Sequence, residues 1–367
     1  MTVPFLSRLV EAVPHALADL DTALVRARAR HLSAVPREYA RGKACHCDDT
    51  LPLHLVHSEG LREACDFVVD YGSNVECRQR RQVPVETLAD AAAEIADGDR
   101  VHVKADWLPD LVEHLLPRIR ARFVLVTGDS DYGGVADHVS LLDDDRVLHW
   151  FAQNCDVPQA HPKLTRIPIG IDNPVFNRLD KQLSGAVAML IGRNGFYPSL
   201  AANAMGDQAL LQRVRRERRR RFADKPLKVL GAFTMRENAD RHEAREALEG
   251  HPDVHFVRRR LSQEACWRAH DDFAFELSPR GNGLDCLRTW ECLFLETIPI
   301  VKTSTLDAMY RDEGLPVVIV ESFREITSSR LKEWRDELAP RFDDALTRKL
   351  TVGYWLDKIE RARQPAR

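Results

Sequence analysis

The stretch from Phe273 to Ser304, FAFELSPRGNGLDCLRTWECLFLETIPIVKTS, constrains the fold of this chain more than any other. Phe273–Leu277 is a short apolar, aromatic-rich run and reads as a buried strand. Ser278-Pro279-Arg280-Gly281-Asn282-Gly283 follows, and a proline with two glycines in that space makes a shaped loop. From Asp285 a helical pattern opens, with Leu287, Trp290, Leu293 and Phe294 on one face and Arg288 and Glu291 on another. It ends near Thr297-Ile298-Pro299. A second apolar run, Ile298–Val301, then leads to Lys302-Thr303-Ser304. Strand, glycine loop, helix and strand in that order are the unit of an α/β protein with a parallel sheet. In such sheets, loops at the carboxyl ends of the strands form the ligand crevice.

The residues of this unit suit a nucleoside diphosphate. Gly281 and Gly283 allow close approach to the backbone. The N–H groups and dipole at the helix start favour a phosphate. Arg280 and Arg288 can add charge-assisted, bidentate hydrogen bonds. Glu291 can accept both hydroxyls of a ribose, and Lys302 and Ser304 stand at the next strand end. The plainer reading is a βαβ unit whose glycines only make a tight turn. Ser-Pro-Arg before the glycines and Asp-Cys-x-Arg-Thr-Trp-Glu after them favour a ligand site.

The run SPRGNGLDCLRTWECLFLETIPIVK resembles the donor-binding segment of exostosin-like glycosyltransferases, strongly here and more weakly over residues 100–330. The resemblance implies an α/β chain of GT-B architecture. Two Rossmann-like domains with parallel sheets would face a cleft, and a C-terminal helix would cross back. It implies transfer of a sugar from a nucleotide-sugar donor (UDP- or GDP-sugar) to a glycan or other hydroxyl acceptor. The donor set is Asn238, Arg241 or Arg245, Ser278, Arg280, Gly281, Asn282, Gly283, Asp285, Arg288, Glu291, Lys302 and Ser304, with spacing leaving the choice between Arg241 and Arg245 open. Cationic side chains would hold the leaving diphosphate, so no tightly bound cofactor or metal is required, and Mg²⁺ or Mn²⁺ could still associate. Two departures stand out. The family often has a His where Leu287 stands. Retaining GT-B enzymes carry a Glu-x7-Glu signature whose first carboxylate would fall at Gly283. Its absence favours an inverting enzyme.

A length of 367 residues suggests two domains. A net charge of −3 gives no global reason to expect nucleic acid. No apolar run is long enough to span a bilayer. Met1–Leu17 lacks the charged start and apolar centre of a signal peptide, so a cytoplasmic protein is expected. Eight cysteines then read as reduced thiols. Cys45-His46-Cys47, with His54, His57 and Cys65 near it, lacks the usual zinc spacing, and no metal site is expected.

Residues 1–175 are expected to form the acceptor domain, preceded by helices over 5–35. Residues 176–226 form a linker with an arginine-rich helix, 227–340 the donor domain, and 341–367 a helix packing back on the first domain. In the first domain, expected elements are strands at Leu53–His57, Phe67–Asp70, Asp99–Val103, Arg122–Thr127, Val147–Phe151 and Leu164–Ile169, and helices at Val85–Ile95 and Leu108–Arg120. Polar clusters at strand ends supply candidate bases: Asp129 and Asp131 first, then Asp106. Their plainer role is turn formation. The helix Gln208–Phe222 carries Arg213, Arg215, Arg216 and Arg218–Arg221. It reads as a solvated face, or as a peripheral contact with an acidic membrane surface. In the donor domain, strands are expected at Leu227–Phe233, Val254–Val257 and Val317–Val320, and helices at Arg241–Leu248, Ser262–His270 and 329–362, with Trp334 and Trp355 anchoring the return. Two rival readings keep the scaffold: a non-catalytic nucleotide-sugar or glycan binder, and a nucleotide-sugar 2-epimerase.

Overall fold

A computed structural model describes residues 55–69, 92, 95–131, 133–171, 207–235, 238–259 and 261–363. The leading helices, Cys45-His46-Cys47, most of Val85–Ile95 and the linker up to 206 lie outside the described residues.

Among the described residues, two five-stranded sheets, parallel throughout, form the framework. The first comprises β1 (Phe67–Val69), β2 (Asp99–Lys104), β3 (Phe123–Gly128), β4 (Val147–Ala152) and β5 (Leu164–Arg166), ordered β1-β2-β3-β4-β5. The second comprises β6 (Val229–Gly231), β7 (Val254–Phe256), β8 (Phe275–Leu277), β9 (Ile298–Lys302) and β10 (Val318–Val320), ordered β10-β9-β8-β6-β7. Nine helices matter below: α1 (Ser58–Glu63), α2 (Asp207–Arg216), α3 (Ala239–Leu248), α4 (Gln263–Ala269), α5 (Leu287–Phe294), α6 (Asp307–Asp312), α7 (Ser328–Leu338), α8 (Asp344–Lys349) and α9 (Val352–Arg361). The expected α/β class with two parallel, Rossmann-like sheets is present.

β3 shows how the apolar runs are used. It is buried along its whole length. Alternate side chains face opposite sides of a sheet, so Phe123 and Leu125 enter one core while Val124 and Val126 enter another. That second core is shared. It joins Val124, Val126 and Phe151 to Trp290, Leu293 and Phe294 of α5 and to Trp355 and Ile359 of α9. The α5 apolar face read from the sequence is therefore what closes the two sheets on each other.

The strand order of the second sheet reverses at β6, which lies between β7 and β8. Chain connections leave β6 and β8 on opposite sides there, opening a crevice at their carboxyl ends. The organising loop, 278–286, starts at that point.

Several expected elements differ. Leu53–His57 is not a strand within the described residues. Leu55 and His57 make isolated antiparallel bridges to Thr351 and Gly170, and His57 then caps α1. The expected Leu108–Arg120 helix breaks into short α, π and 3-10 turns between Ala105 and Arg118. Pro117 has no N–H to donate and its ring crowds the preceding turn, so a regular helix cannot pass through it. The arginine-rich helix ends at Arg216, leaving Arg218–Arg221 on the connection to Phe222. The single helical region 329–362 is α7, α8 and α9, interrupted by a 3-10 turn at Ala339–Arg341 that contains Pro340.

The terminal helix returns to the first sheet. Arg363 Nε donates to the Gly98 carbonyl at 2.7 Å, and Arg100 pairs with Glu360 at 3.4 Å. Trp355 is fully buried in the shared core, and its indole N–H donates to the Lys349 carbonyl at 2.9 Å. Trp334 is not part of this return: it packs within the second sheet's own core. Trp355→Ala is expected to cost about 3–5 kcal/mol, read as a lowered midpoint in thermal and urea unfolding. An unchanged midpoint would show that α9 is not held by the shared core.

Candidate functional site between the two sheets

The loop after β8 is built by side chains of α3. Asn238 caps that helix, accepting from Asp240 N at 2.9 Å, and its amide donates to the Gly281 carbonyl at 3.2 Å. Arg241 is buried. Its Nε donates to the Arg280 carbonyl, and its Nη1 donates to the carbonyl and hydroxyl of Thr234, each at 3.0 Å. Arg245, in the last turn of α3, pairs with Glu249 and stacks over Phe256 with 4.4 Å to the ring centroid. Of the two arginines the sequence leaves open, Arg241 is the one at the loop, and it shapes backbone.

Two cations stand at adjacent strand ends. Arg280 Nε donates to Asp240 Oδ2 at 2.6 Å. Lys302, closing β9, reaches Asp240 Oδ1 at 3.4 Å and also pairs with Glu243. Burial pushes the Asp240 carboxyl up, but the Arg280 hydrogen bond and both cationic charges outweigh it and leave it below the usual carboxylate range. The Glu243 hydrogen bond raises Lys302, and the Asp240 hydrogen bond raises Arg280. All three stay charged near neutral pH.

Arg288 departs from expectation. Instead of facing phosphate, its Nε lies 3.0 Å from Glu276 Oε1, and Nη2 donates to the Ala232 carbonyl at 2.9 Å. Glu276 is wholly buried in β8 and also meets His270 Nε2 at 2.8 Å and the Cys292 thiol at 3.3 Å. Burial alone would raise this carboxyl; His270 and Arg288 hold it below its ordinary range. His270, Glu276 and Cys292 are close enough to meet a metal ion, but the carboxylate is already committed to two basic groups. The sequence signal was the lone acid inside FAFEL. A buried charge needs a partner, and Arg288 is that partner. Glu291, half-buried on α5, adds to the negative charge raising the Cys266 thiol, which burial chiefly pushes to about 12.

Other expected ligands hold the frame. Ser278 Oγ is 2.9 Å from Thr289 Oγ1. Ser304 builds a turn, its N–H donating to Asp307 Oδ1 and its hydroxyl accepting from Leu306 N. The Asp285 N–H, expected to face a diphosphate, donates to Asn154 Oδ1 of the first sheet at 2.8 Å. The Asp285 carboxylate accepts from Ile169 N at 2.9 Å, Trp290 Nε1 at 2.8 Å and Cys286 N at 2.9 Å. It ties the first sheet, the loop and α5 at one point. Burial raises it to about 6, against the pull of those hydrogen bonds.

Gly283 shows how close the contact is. A Cβ there would lie 2.9 Å from the Asp131 carbonyl oxygen and 3.0 Å from the Asn154 amide atoms. No side chain fits, which accounts physically for the missing carboxylate at this position. Asn282 donates to Asp131 Oδ2 at 3.3 Å, and Thr305 to the Cys155 carbonyl at 2.6 Å.

The strand ends of the first sheet carry unusual backbone. Asp129 and Asn154 have φ of +56° and +46°, a region few non-glycine residues adopt but Asp and Asn tolerate. Asn154 Nδ2 donates to the Ser130 carbonyl at 2.7 Å, and Gln153 Oε1 accepts from Asp129 N at 3.1 Å. Gln153 and Asn154 follow β4; Gln153 braces the first sheet's own strand end, and Asn154 is the clamp between the sheets. Among the candidate bases, Asp129 is bound to Arg62 at 2.9 Å and is nearly buried. That ion pair occupies one of its carboxylate oxygens. Asp106 is exposed beside Lys104 at 3.5 Å. Asp131 is exposed and faces the second sheet's loop across Asn282.

The arginine run meets acids of the second unit. Arg213 pairs with Glu264, Arg215, Arg218 and Arg221 with Glu296, and Arg219 and Arg220 with Asp271 and Asp272. Among the described residues, no helix is long and apolar enough to cross a membrane.

No protein-family model matches the chain, and no curated protein matches it. Solved structures superpose loosely. One, of trehalose-6-phosphate from E. coli bound with UDP-2-fluoro glucose, is 11% identical with a TM-score of 0.41, covering 87% of this chain and 91% of that one. An alpha1,3-fucosyltransferase with GDP-fucose is 12% identical with a TM-score of 0.31, covering 85% and 86%. An alpha,alpha-trehalose 6-phosphate synthase from Burkholderia multivorans is 11% identical with a TM-score of 0.36, covering 80% and 77%. All three are distant in sequence, and none assigns a residue of this chain.

Asp285→Ala leaves the Ile169 and Trp290 donors unpaired, at about 1–3 kcal/mol each, and is expected to lower the unfolding midpoint. The sign of the pH effect follows from the raised carboxyl. Asp285 binds its proton more tightly folded than unfolded, so its contribution is fully present below its ordinary value of 3.8 and is lost as pH rises through about 6. Asp285→Asn is expected to flatten the midpoint–pH curve between those values. A curve of unchanged slope would remove Asp285 as its source.

Proposed function

We propose that this protein is a glycosyltransferase that moves a sugar from a nucleoside-diphosphate donor to a hydroxyl acceptor, with inversion. The observation that carries this reading is the pair of cations, Arg280 and Lys302, at the carboxyl ends of β8 and β9, beside the point where the second sheet reverses order. The likeness of the 278–302 segment to exostosin-like donor sites supports it, and the two-sheet GT-B arrangement gives it a cleft.

The chemistry asks each group for one task. Asp131 takes the proton from the acceptor hydroxyl as that oxygen attacks the anomeric carbon. The bond from that carbon to the donor phosphate oxygen breaks, and its electron pair leaves with the nucleoside diphosphate. Arg280 and Lys302 stabilise the charge developing on this leaving group. Glu291 is assigned to the ribose. Asn238, Arg241 and Asp285 support the loop rather than touch the donor. The acceptor lies along the 104–156 rim of the first sheet. UDP- and GDP-sugars are the donor classes to examine first.

Calorimetry with UDP, GDP and their sugars tests the reading. One nucleotide diphosphate should bind at micromolar Kd, with Arg280→Ala and Glu291→Ala each weakening it at least about tenfold while the far-ultraviolet dichroism is unchanged. Binding to none of them would overturn the donor site. Asp131→Asn should retain donor binding and lose about 10²–10⁴-fold in transfer or slow donor hydrolysis. Full activity in that variant would return the role of base to another carboxylate. Tight donor binding with neither transfer nor hydrolysis would favour a non-catalytic binder.

A further inference from the structure

Two carboxylates of α3 share the cations assigned to the diphosphate, and they are placed differently. Asp240 is held in the first turn, its side chain only 6% exposed, and both its oxygens are engaged, one by Arg280 and one by Lys302. Glu243 lies one turn later on the same face, with its side chain 35% exposed. It pairs with Lys302 and accepts from the Ser322 hydroxyl at 3.3 Å. Without Asp240, Arg280 loses its one ion pair among the described residues and Lys302 keeps only Glu243. Glu243 can rotate into water, because it holds one cation, one hydroxyl and a partly solvated position.

We propose that Asp240 positions the two cations for a diphosphate, and that Glu243 is a displaceable internal anion whose place on Lys302 a ligand phosphate takes. The proposal rests on the reading of this site as one for diphosphates. Charge supports it. Arg280 and Lys302 face Asp240 and Glu243, while Arg241 is turned to the Arg280 and Thr234 carbonyls. With Glu243 in place the two cations and two carboxylates cancel; with Glu243 swung out the cluster carries one net positive charge. The second state favours anions, and a diphosphate, which can set one phosphate on each cation, gains more from it than a single phosphate. Glu243 would therefore weaken every anion, but single phosphates most, because they return less when it is ejected.

Hydrogen-bond geometry agrees. Asp240 occupies only the Nε edge of the Arg280 guanidinium. The two terminal nitrogens make no hydrogen bond among the described residues, and that planar edge is the one that matches two phosphate oxygens. Asp240 thus turns the useful edge of Arg280 away from itself.

The test uses the full chain, with inorganic pyrophosphate and inorganic phosphate as probes, in calorimetry at low and moderate salt. These probes carry no base or sugar, so they read the charge cluster alone. Glu243→Gln should tighten pyrophosphate about threefold to fivefold, the worth of one partly exposed ion pair. It should tighten phosphate more, reducing the preference for pyrophosphate. Asp240→Asn should weaken pyrophosphate at least about tenfold while the unfolding midpoint stays within a few degrees. Glu243→Asp, which keeps the charge on a shorter stem, should behave like the unmodified chain or fall between it and Glu243→Gln. Equal or weaker pyrophosphate binding in Glu243→Gln overturns the displaceable anion. No pyrophosphate binding by the unmodified chain overturns both the anion exchange and the diphosphate reading. Pyrophosphate behaving as expected while no nucleotide binds would uphold the exchange and overturn the glycosyltransferase reading alone.

Discussion

The bond from the Asp285 N–H to Asn154, at 2.8 Å, with the return bond from Ile169 N to the Asp285 carboxylate, at 2.9 Å, sets the geometry on which the site depends. It fixes the 281–285 loop against the strand ends of the first sheet. A buried carboxylate with three donors around it is favourable only if every donor is in place, so α5, the loop and the first sheet must assemble together. Gly283 then has no room for a side chain. Asp131, on the far wall, comes within reach of Asn282. A candidate base and a candidate donor loop face one another because this contact holds them there.

Burial decides which charged groups are framework and which are available. Glu276 and Arg288 are shut in β8 and α5 and neutralise each other. Arg241 is spent on carbonyls. Asp129 is spent on Arg62. Arg280, Lys302, Glu243 and Asp131 remain partly in water, and they line the crevice at the strand ends. A loop rich in glycine and proline has few internal hydrogen bonds of its own. Its shape is imposed from outside, by Asn238 and Arg241 on one side and Asn154 on the other.

The sequence carried the strands well. RFVLVT and IPIVK are apolar runs with one structural outcome once two-sided burial is allowed, and β3 and β9 lie where they were read. The helices were less legible. Pro117 and Pro340 broke two of them, and the arginine run lost its helix after Arg216 to a connection held by Glu296, Asp271 and Asp272. The site was half visible. Arg280 and Lys302 could be read from strand ends, but the partner of Arg288 lay twelve residues away in the preceding strand, and Asp285 has partners in the other unit, at Ile169 and Asn154. Local pattern says which residues are charged or turning. It does not say which distant group will neutralise them.

The most direct measurement is a crystal structure of the full chain with the tightest-binding nucleoside diphosphate. The account predicts phosphate oxygens on the terminal nitrogens of Arg280 and on Lys302, with Glu243 turned away and the Asp285–Asn154 bond intact. A diphosphate seated elsewhere in the cleft, with Arg280 and Lys302 still closed on Asp240 and Glu243, would contradict it.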